Sequence, residues 1–189
     1  MSQIKLKHSG GNSVIIAAPD SNPASDRTLK LPSDGDGTIL TTNSATGKIL
    51  QVVQAVKNDT ATFTTTSFTD ITGLSASITP TSSSNKILVE ASVFGSTSNN
   101  VISLNLVRGS TNIAQPSATS NNNATTHSYV AYDSMHSINF SFLDTPPDTN
   151  SQTYKIQVKG VNTLLIAINR YVTTDYYAIS TLTLKEVAT

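Results

Sequence analysis

Lys86-Ile87-Leu88-Val89-Glu90-Ala91-Ser92-Val93-Phe94-Gly95 decides the fold class of this chain. Ile87, Val89, Ala91 and Val93 recur at every second position. A period of two places them on one side of an extended strand, the mark of a half-buried antiparallel strand rather than a helix. The same spacing continues downstream. Ile102, Leu104 and Leu106 alternate within Val101–Arg108, and Gly109-Ser110 makes a turn after them. Ile138, Phe140 and Phe142 alternate until Pro146-Pro147 ends the run. Tyr154, Ile156 and Val158 alternate again, and Leu164–Ile168 and Ile179–Val187 close the chain. Upstream, Phe63 and Phe68 flank a Thr run, and Ile71, Leu74 and Ile78 lead to Thr79-Pro80. Ile49–Val56 is apolar on both sides of the alternation, so it fits a buried strand or a short helix equally well. Residues 116–128 have no period and form an exposed loop.

Strands at roughly eight- to twelve-residue spacing, with turn formers between them, predict an all-β fold: an antiparallel β-sandwich of the jelly-roll kind. We assign this sandwich to residues 48–189. No stretch has the pattern of a long amphipathic helix, and there is no internal repeat. Residues 1–47 have another texture: apolar bursts of about four residues cut by turn formers. Ile4-Lys5-Leu6 precedes Gly10-Gly11, and Val14–Ala18 precedes Pro19. Thr28–Leu31 precedes Pro32, and Thr38–Thr41 precedes Asn43 and Gly47. No burst has the apolar area for its own core. Such a segment needs a partner surface, most simply two further copies of itself in a homotrimer.

Composition narrows the function. More than a third of the 189 residues are Ser, Thr or Asn, only 13% are charged, and there is no Cys and no Trp. The formal net charge is zero, so no long-range field recruits nucleic acid or an anionic membrane. Without Cys there are no disulfides, thiolate nucleophiles or zinc ribbons. Val14–Ala18, the early apolar run, is too short to span a bilayer, and Met1–His8 lacks the apolar core of a signal peptide. A hydroxyl- and amide-rich surface without an export signal fits a protein made in a cytoplasm and released by lysis, as virion proteins are.

Several phrases carry a resemblance. Thr28-Leu29-Lys30-Leu31-Pro32-Ser33-Asp34-Gly35-Asp36-Gly37-Thr38-Ile39-Leu40 resembles a short stem phrase of bacteriophage tail-fibre proteins. Lys48–Gln54, Ile78–Val89, Leu106–Thr111, Asn139–Pro146, Thr153–Gln157 and Leu182–Val187 follow in order over most of the chain. Together they resemble a family of virion structural proteins, mostly tail-fibre-like, of marine and cyanobacterial phages. The resemblance implies a trimeric β-rich module on a virion. Residues 1–47 would then attach it to other virion proteins, and the sandwich would face outward to adhere to the host surface. A capsid decoration (cement) protein is the alternative within that class, and a glycan depolymerase the alternative from another.

Catalytic and metal-binding patterns are weak. His8, His127 and His136 show no ligand spacing. Asp34-Gly35-Asp36-Gly37 lacks the later ligands of a calcium loop and fits a turn. Glycan hydrolysis needs two carboxylates across a cleft, whereas Glu90 and Glu186 lie within strands and Asp133, Asp144, Asp148 and Asp175 lie near turns. No Gly-x-Ser-x-Gly elbow occurs. We therefore expect no enzyme, no metal and no cofactor. The suggestive groups are Tyr129, Tyr132, Tyr171, Tyr176 and Tyr177, whose rings suit sugar faces or simply fill sheet faces, and the run Asn121-Asn122-Asn123, whose amides suit sugar hydroxyls. The expected receptor-binding residues are Asn121, Asn122, Asn123, Tyr171, Tyr176 and Tyr177, with a host-surface glycan as ligand.

Overall fold

A computed structural model describes residues 3–7, 9–11, 13–17, 48–118, 120, 122–131, 134–173 and 175–189. The chain divides into two compact units, Met1–Leu40 and Thr41–Thr189. In the first, β1 (Gln3–Lys7) and β2 (Ser13–Ala17) pair antiparallel, with Gln3 opposite Ala17 and Lys7 opposite Ser13. Gly11, at φ +97°, takes the left-handed backbone that a side chain would resist, which helps the chain reverse between them. These strands match the first two apolar bursts. Thr28–Leu31, Thr38–Thr41, the Asp34–Gly37 turn and His8 lie outside the described residues.

The second unit contains β3 (Ile49–Lys57), β4 (Ala61–Phe63), β5 (Thr69–Ile78), β6 (Lys86–Thr97), β7 (Asn100–Arg108), β8 (Thr111–Asn112) and β9 (Thr126–Val130). It continues with β10 (Met135–Asp144), β11 (Gln152–Gly160), β12 (Ile166–Ile168) and β13 (Ser180–Val187). No helix occurs among the described residues, and every pairing is antiparallel. Three pairs of strands are one strand interrupted. β12 and β13 lie along the same side of β6, with Ile168 opposite Gly95 and Thr181 opposite Ser92. β4 and β3 continue that break outward, pairing with β12 and β13. β8 and β9 both pair with β7, with Thr111 opposite Arg108 and Thr126 opposite Leu104.

With those three joins, the eleven strands become eight, in two sheets of four: β3/β4–β12/β13–β6–β10 and β5–β11–β7–β8/β9. Numbered along the chain, the sheets run 1-8-3-6 and 2-7-4-5, which is jelly-roll order. Connections 64–68, 98–99, 131–134 and 161–165 therefore gather at one end. Connections 79–85, 109–110 and 145–151 gather at the other, where the chain also enters at Lys48 and leaves after Val187. Cross-bonds hold each end: Gly160 N–H donates to Thr65 O at the first, and Ala188 N–H to Lys48 O at the second.

The inward positions of both sheets form one core, including Ile71, Leu74, Ile87, Val89, Val93, Ile102, Leu104, Leu106, Tyr154, Ile156, Val158, Ile166, Leu182 and Leu184. From Ile87 onward the period-two reading placed these side chains correctly, because one face of each strand must leave water; Ile71 and Leu74 share the inner face although three residues apart, because the register of β5 on β11 shifts between them. At Gly95 the sheets approach so closely that an added Cβ would stand 2.8 Å from Cδ1 of Ile102. Two expectations need correction. Ile49–Val56 is a strand with a water-facing side, because β3 is an edge strand: Leu50, Val52 and Val56 are exposed. Residues 116–128 are not loop throughout, since β9 begins at Thr126; β7 supplies the pairing that a Thr-His-Ser sequence does not announce.

Candidate recognition site

The interruption between β12 and β13 builds the most exposed aromatic feature. Residues 169–179 leave the ladder opposite Phe94 and fold back on themselves as a finger. Arg170 bridges Tyr177, and Tyr171 N–H donates to Tyr176 O at 3.0 Å. Tyr171 and Tyr176 meet edge to face, with ring centroids 6.3 Å apart. Tyr176 and Tyr177 are 69% and 64% exposed.

Asn169 fixes the base of this finger. It is fully buried and sits at φ 59°, a left-handed conformation that Asn tolerates better than most residues. Its backbone N–H donates to Phe94 O, and its carbonyl accepts from Ala178 N–H. Its side-chain amide donates to Lys57 O at 2.7 Å and Asp59 O at 3.0 Å, while Oδ1 accepts from Ser180 Oγ at 2.5 Å. Ser96 Oγ donates to Arg170 O. One residue thus joins β6, the β3–β4 break and both arms of the finger.

The interruption between β8 and β9 builds the second feature, a loop over residues 114–124. Ile113 N–H donates to Leu106 O and Thr125 N–H to Leu104 O, so the loop leaves and rejoins at adjacent points of β7. Asn123 is half-buried, and its amide donates to Pro116 O at 3.2 Å and to Ala118 O. Asn122 is exposed, with its backbone N–H on Ser120 Oγ. Asn121 and Tyr132 lie outside the described residues, and Tyr129 is exposed on β9. The expected binding residues thus fall in two groups on different sheets: Tyr171, Tyr176 and Tyr177 on the finger, Asn122 and Asn123 in the loop.

Between this loop and β10 runs an open groove of about 500 Å³. Phe140 and Phe142 line it with Ile113, Ala114, Gln115, Pro116, Ala124, Thr125 and Ser141. None of these side chains is ionisable, so the groove has no acid, base or nucleophile pair. The Gln115 amide donates to Asn105 Oδ1 and Asn123 O, and Thr125 Oγ1 accepts from Leu106 N–H.

Asp175 lies in the finger, where its Oδ1 accepts from Tyr177 OH at 3.3 Å; other carboxylates are engaged away from it. Glu186 is fully buried and accepts from Gln51 Nε2 (2.6 Å), Thr81 N (2.6 Å), Thr81 Oγ1 (2.7 Å) and Asn85 Nδ2 (2.6 Å). Burial alone would raise its pKa, but the donors Asn85, Gln51 and Thr81 together hold it below the usual value. Glu90 pairs with Lys185 at 2.5 Å. Asp144 accepts from Tyr154 OH at 2.7 Å and Arg108 at 2.5 Å; burial first, and that bond second, push the Tyr154 phenol well above its ordinary pKa. His127 Nδ1 lies 2.8 Å from Ser103 Oγ, and His136 Nδ1 lies 3.3 Å from Ser128 Oγ. No group of three or more His, Asp or Glu side chains able to hold a metal occurs among the described residues.

Neither the groove nor the Asn169 hub has a signature in the local pattern of residues. The lapse of alternation between Ile168 and Ser180 was the available signal for the finger.

No protein-family model matches the chain, and no curated protein is similar to it. Solved structures to which the chain shows a distant similarity include the tripod from the baseplate of bacteriophage Tuc2009. It is 12% identical over 93% of this chain and 84% of that one, with a TM-score of 0.38. Infectious bursal disease virus structures of the Gt and Gx strains are each 13% identical, with TM-scores of 0.40 and 0.41. The chain covers 52% and 51% of those two, about half their length. Likenesses this distant carry no functional argument.

Proposed function

We propose that this protein is a structural component of a phage virion, a homotrimeric fibre-like module that displays its jelly roll for adhesion to a host-surface glycan. Residues 1–47 are the attachment segment. The observation that carries the adhesive part is the finger: two exposed tyrosines held at a fixed place by a fully buried asparagine. Exposed aromatic rings on a rigid base lose little conformational entropy when a sugar ring stacks on them. The virion assignment rests on the resemblance of the phrases from Thr28 to Val187.

The chain acts without catalysis. Glu186 is enclosed by donors, Glu90 is paired with Lys185, and the groove is lined without ionisable groups, which supports adhesion over hydrolysis. Single sugar contacts are weak, on the order of millimolar. Three copies per trimer raise avidity by on the order of 10²–10⁴ when the sites engage together.

The test is competition. Purified protein should inhibit phage adsorption, and a Tyr176→Ala/Tyr177→Ala variant should lose that inhibition with its melting temperature nearly unchanged. Release of reducing ends from host polysaccharide would turn the reading to a depolymerase. Labelled antibody bound over the capsid rather than the tail, with adsorption unaffected, would turn it to capsid decoration.

A further inference from the structure

The finger has two sides with different chemistry. Residues opposite each other in an antiparallel bridge project to the same side, with Cβ atoms about 5 Å apart, and their chain neighbours project to the other. Tyr171 and Tyr176, whose rings meet edge to face, therefore occupy one side. Arg170 and Tyr177, joined by the bridge at the base, occupy the other. Asp175 shares that side through the bond from Tyr177 OH to its Oδ1. Tyr177 thus has a guanidinium beside its Cβ and a carboxylate at its hydroxyl.

The Arg170 guanidinium is unengaged. Ion pairs join Lys57 to Asp59, Arg108 to Asp144, Lys155 to Asp70 and Lys185 to Glu90. Among the described residues the Arg170 side chain takes part in no such pair. Arg170 enters the structure through its main chain, as the bridge partner of Tyr177 and the acceptor from Ser96 Oγ. It is half-buried, yet no buried side-chain nitrogen or oxygen among the described residues lacks a partner, so its unpaired donors reach water.

We infer that this side of the finger binds a pyranose bearing a carboxylate, a uronic or nonulosonic acid, with the acid group on Arg170 and the sugar ring on Tyr177. The inference rests on the adhesive reading of the finger and adds the class of sugar. A guanidinium meets a carboxylate through two parallel N–H···O bonds, a geometry closed to a neutral sugar. A pyranose presents its exocyclic acid and its ring hydroxyls at opposite ends of a flat body. Arg170 and Asp175 stand at opposite ends of Tyr177. The acid end then meets the cation, and the hydroxyl end donates to Asp175. The reverse placement sets carboxylate against carboxylate. The two charged residues thus select the orientation of the ligand as well as its class. The groove beside β10 offers no such selection, being lined without ionisable groups.

NMR titration of the full chain tests it. The probes are the methyl glycosides of galacturonate, glucuronate and N-acetylneuraminate, each beside its uncharged methyl ester. Wild type should bind at least one acid about tenfold or more tighter than its ester, and added salt should weaken that preference. Arg170→Gln should erase the preference, and Arg170→Lys should keep part of it, since an ammonium keeps the charge but not the fork. Lys86→Gln removes the same charge at the start of β6 and should change nothing. All three variants should melt as wild type does, because the Arg170 side chain holds no other group in place. Acid and ester bound alike, or a preference that survives Arg170→Gln, overturns the acid class and leaves the finger as an adhesive surface. A preference erased equally by Lys86→Gln belongs to net charge and overturns it as well. Binding of none of the six compounds also overturns it, and the adsorption competition described above then decides the adhesive reading by itself.

Discussion

Two buried polar residues do structural work that no apolar residue could do here. Asn169 satisfies backbone groups at a point where three segments leave their ladders, and its left-handed backbone starts the finger. Glu186 gathers the 79–85 connection onto the last strand through three hydrogen bonds, from Thr81 N–H, Thr81 Oγ1 and Asn85 Nδ2, and takes a fourth from Gln51 on β3, with no cation among the donors. Because those bonds hold its folded-state pKa below the unfolded value, its contribution is complete above the unfolded pKa and is lost as the pH falls through the folded one. We therefore expect stability to decline on acidification below about pH 4–5. Glu186→Gln should lower stability at neutral pH by about 1–3 kcal/mol, since its amide would set a donor against donors. It should also flatten that acid limb. Urea melts at pH 7 and pH 3 measure both. An acid limb as steep in Glu186→Gln as in wild type would show that other carboxylates cause it.

At the scale of elements, three of the eight jelly-roll strands break in the middle. The breaks at 58–60 and 169–179 adjoin, because the Asn169 amide caps the carbonyls of Lys57 and Asp59. The loop 114–124 is closed at its neck by β7. Each excursion is an insertion into a strand whose halves keep their alignment, so the core does not depend on its tip. Replacing residues 171–176 by a two-residue Asn-Gly turn, with the Arg170–Tyr177 bridge retained, should leave the β-sheet circular dichroism intact. It should shift the melting temperature by only a few degrees, as expected for roughly 1 kcal/mol in a domain of this size. A melting temperature lowered by more than about 15 °C would make the finger part of the core.

At the scale of the molecule, the buried apolar residues of the second unit form one core between Ile71 and Leu184. Residues 48–189 should therefore fold without the first 47, with a cooperative melt close to that of the full chain. The fragment should fold slowly, in milliseconds to seconds, because jelly-roll pairing joins strands distant in sequence, such as β3 with β13. Incorporation into particles should be lost in the fragment. If the fragment fails to melt cooperatively, the first unit belongs to the folding unit.

The sequence alone determined the fold class and, from Lys86 onward, which side of each strand with clean alternation is inside. Alternation is a local property: Ile87, Val89, Ala91 and Val93 must share a face whatever pairs with them. Through the absence of Cys it also excluded disulfides and zinc ribbons. The tertiary structure decided what depends on partners distant in the chain. Whether Ile49–Val56 is central or at an edge depends on β13, more than a hundred residues later. That Thr126–Val130 is a strand depends on β7, and that Asn123 holds its own loop while Tyr176 and Tyr177 stand in water depends on where each excursion leaves its sheet. Non-local hydrogen bonds set strand order and the ends of strands, and no local pattern of apolar residues encodes them.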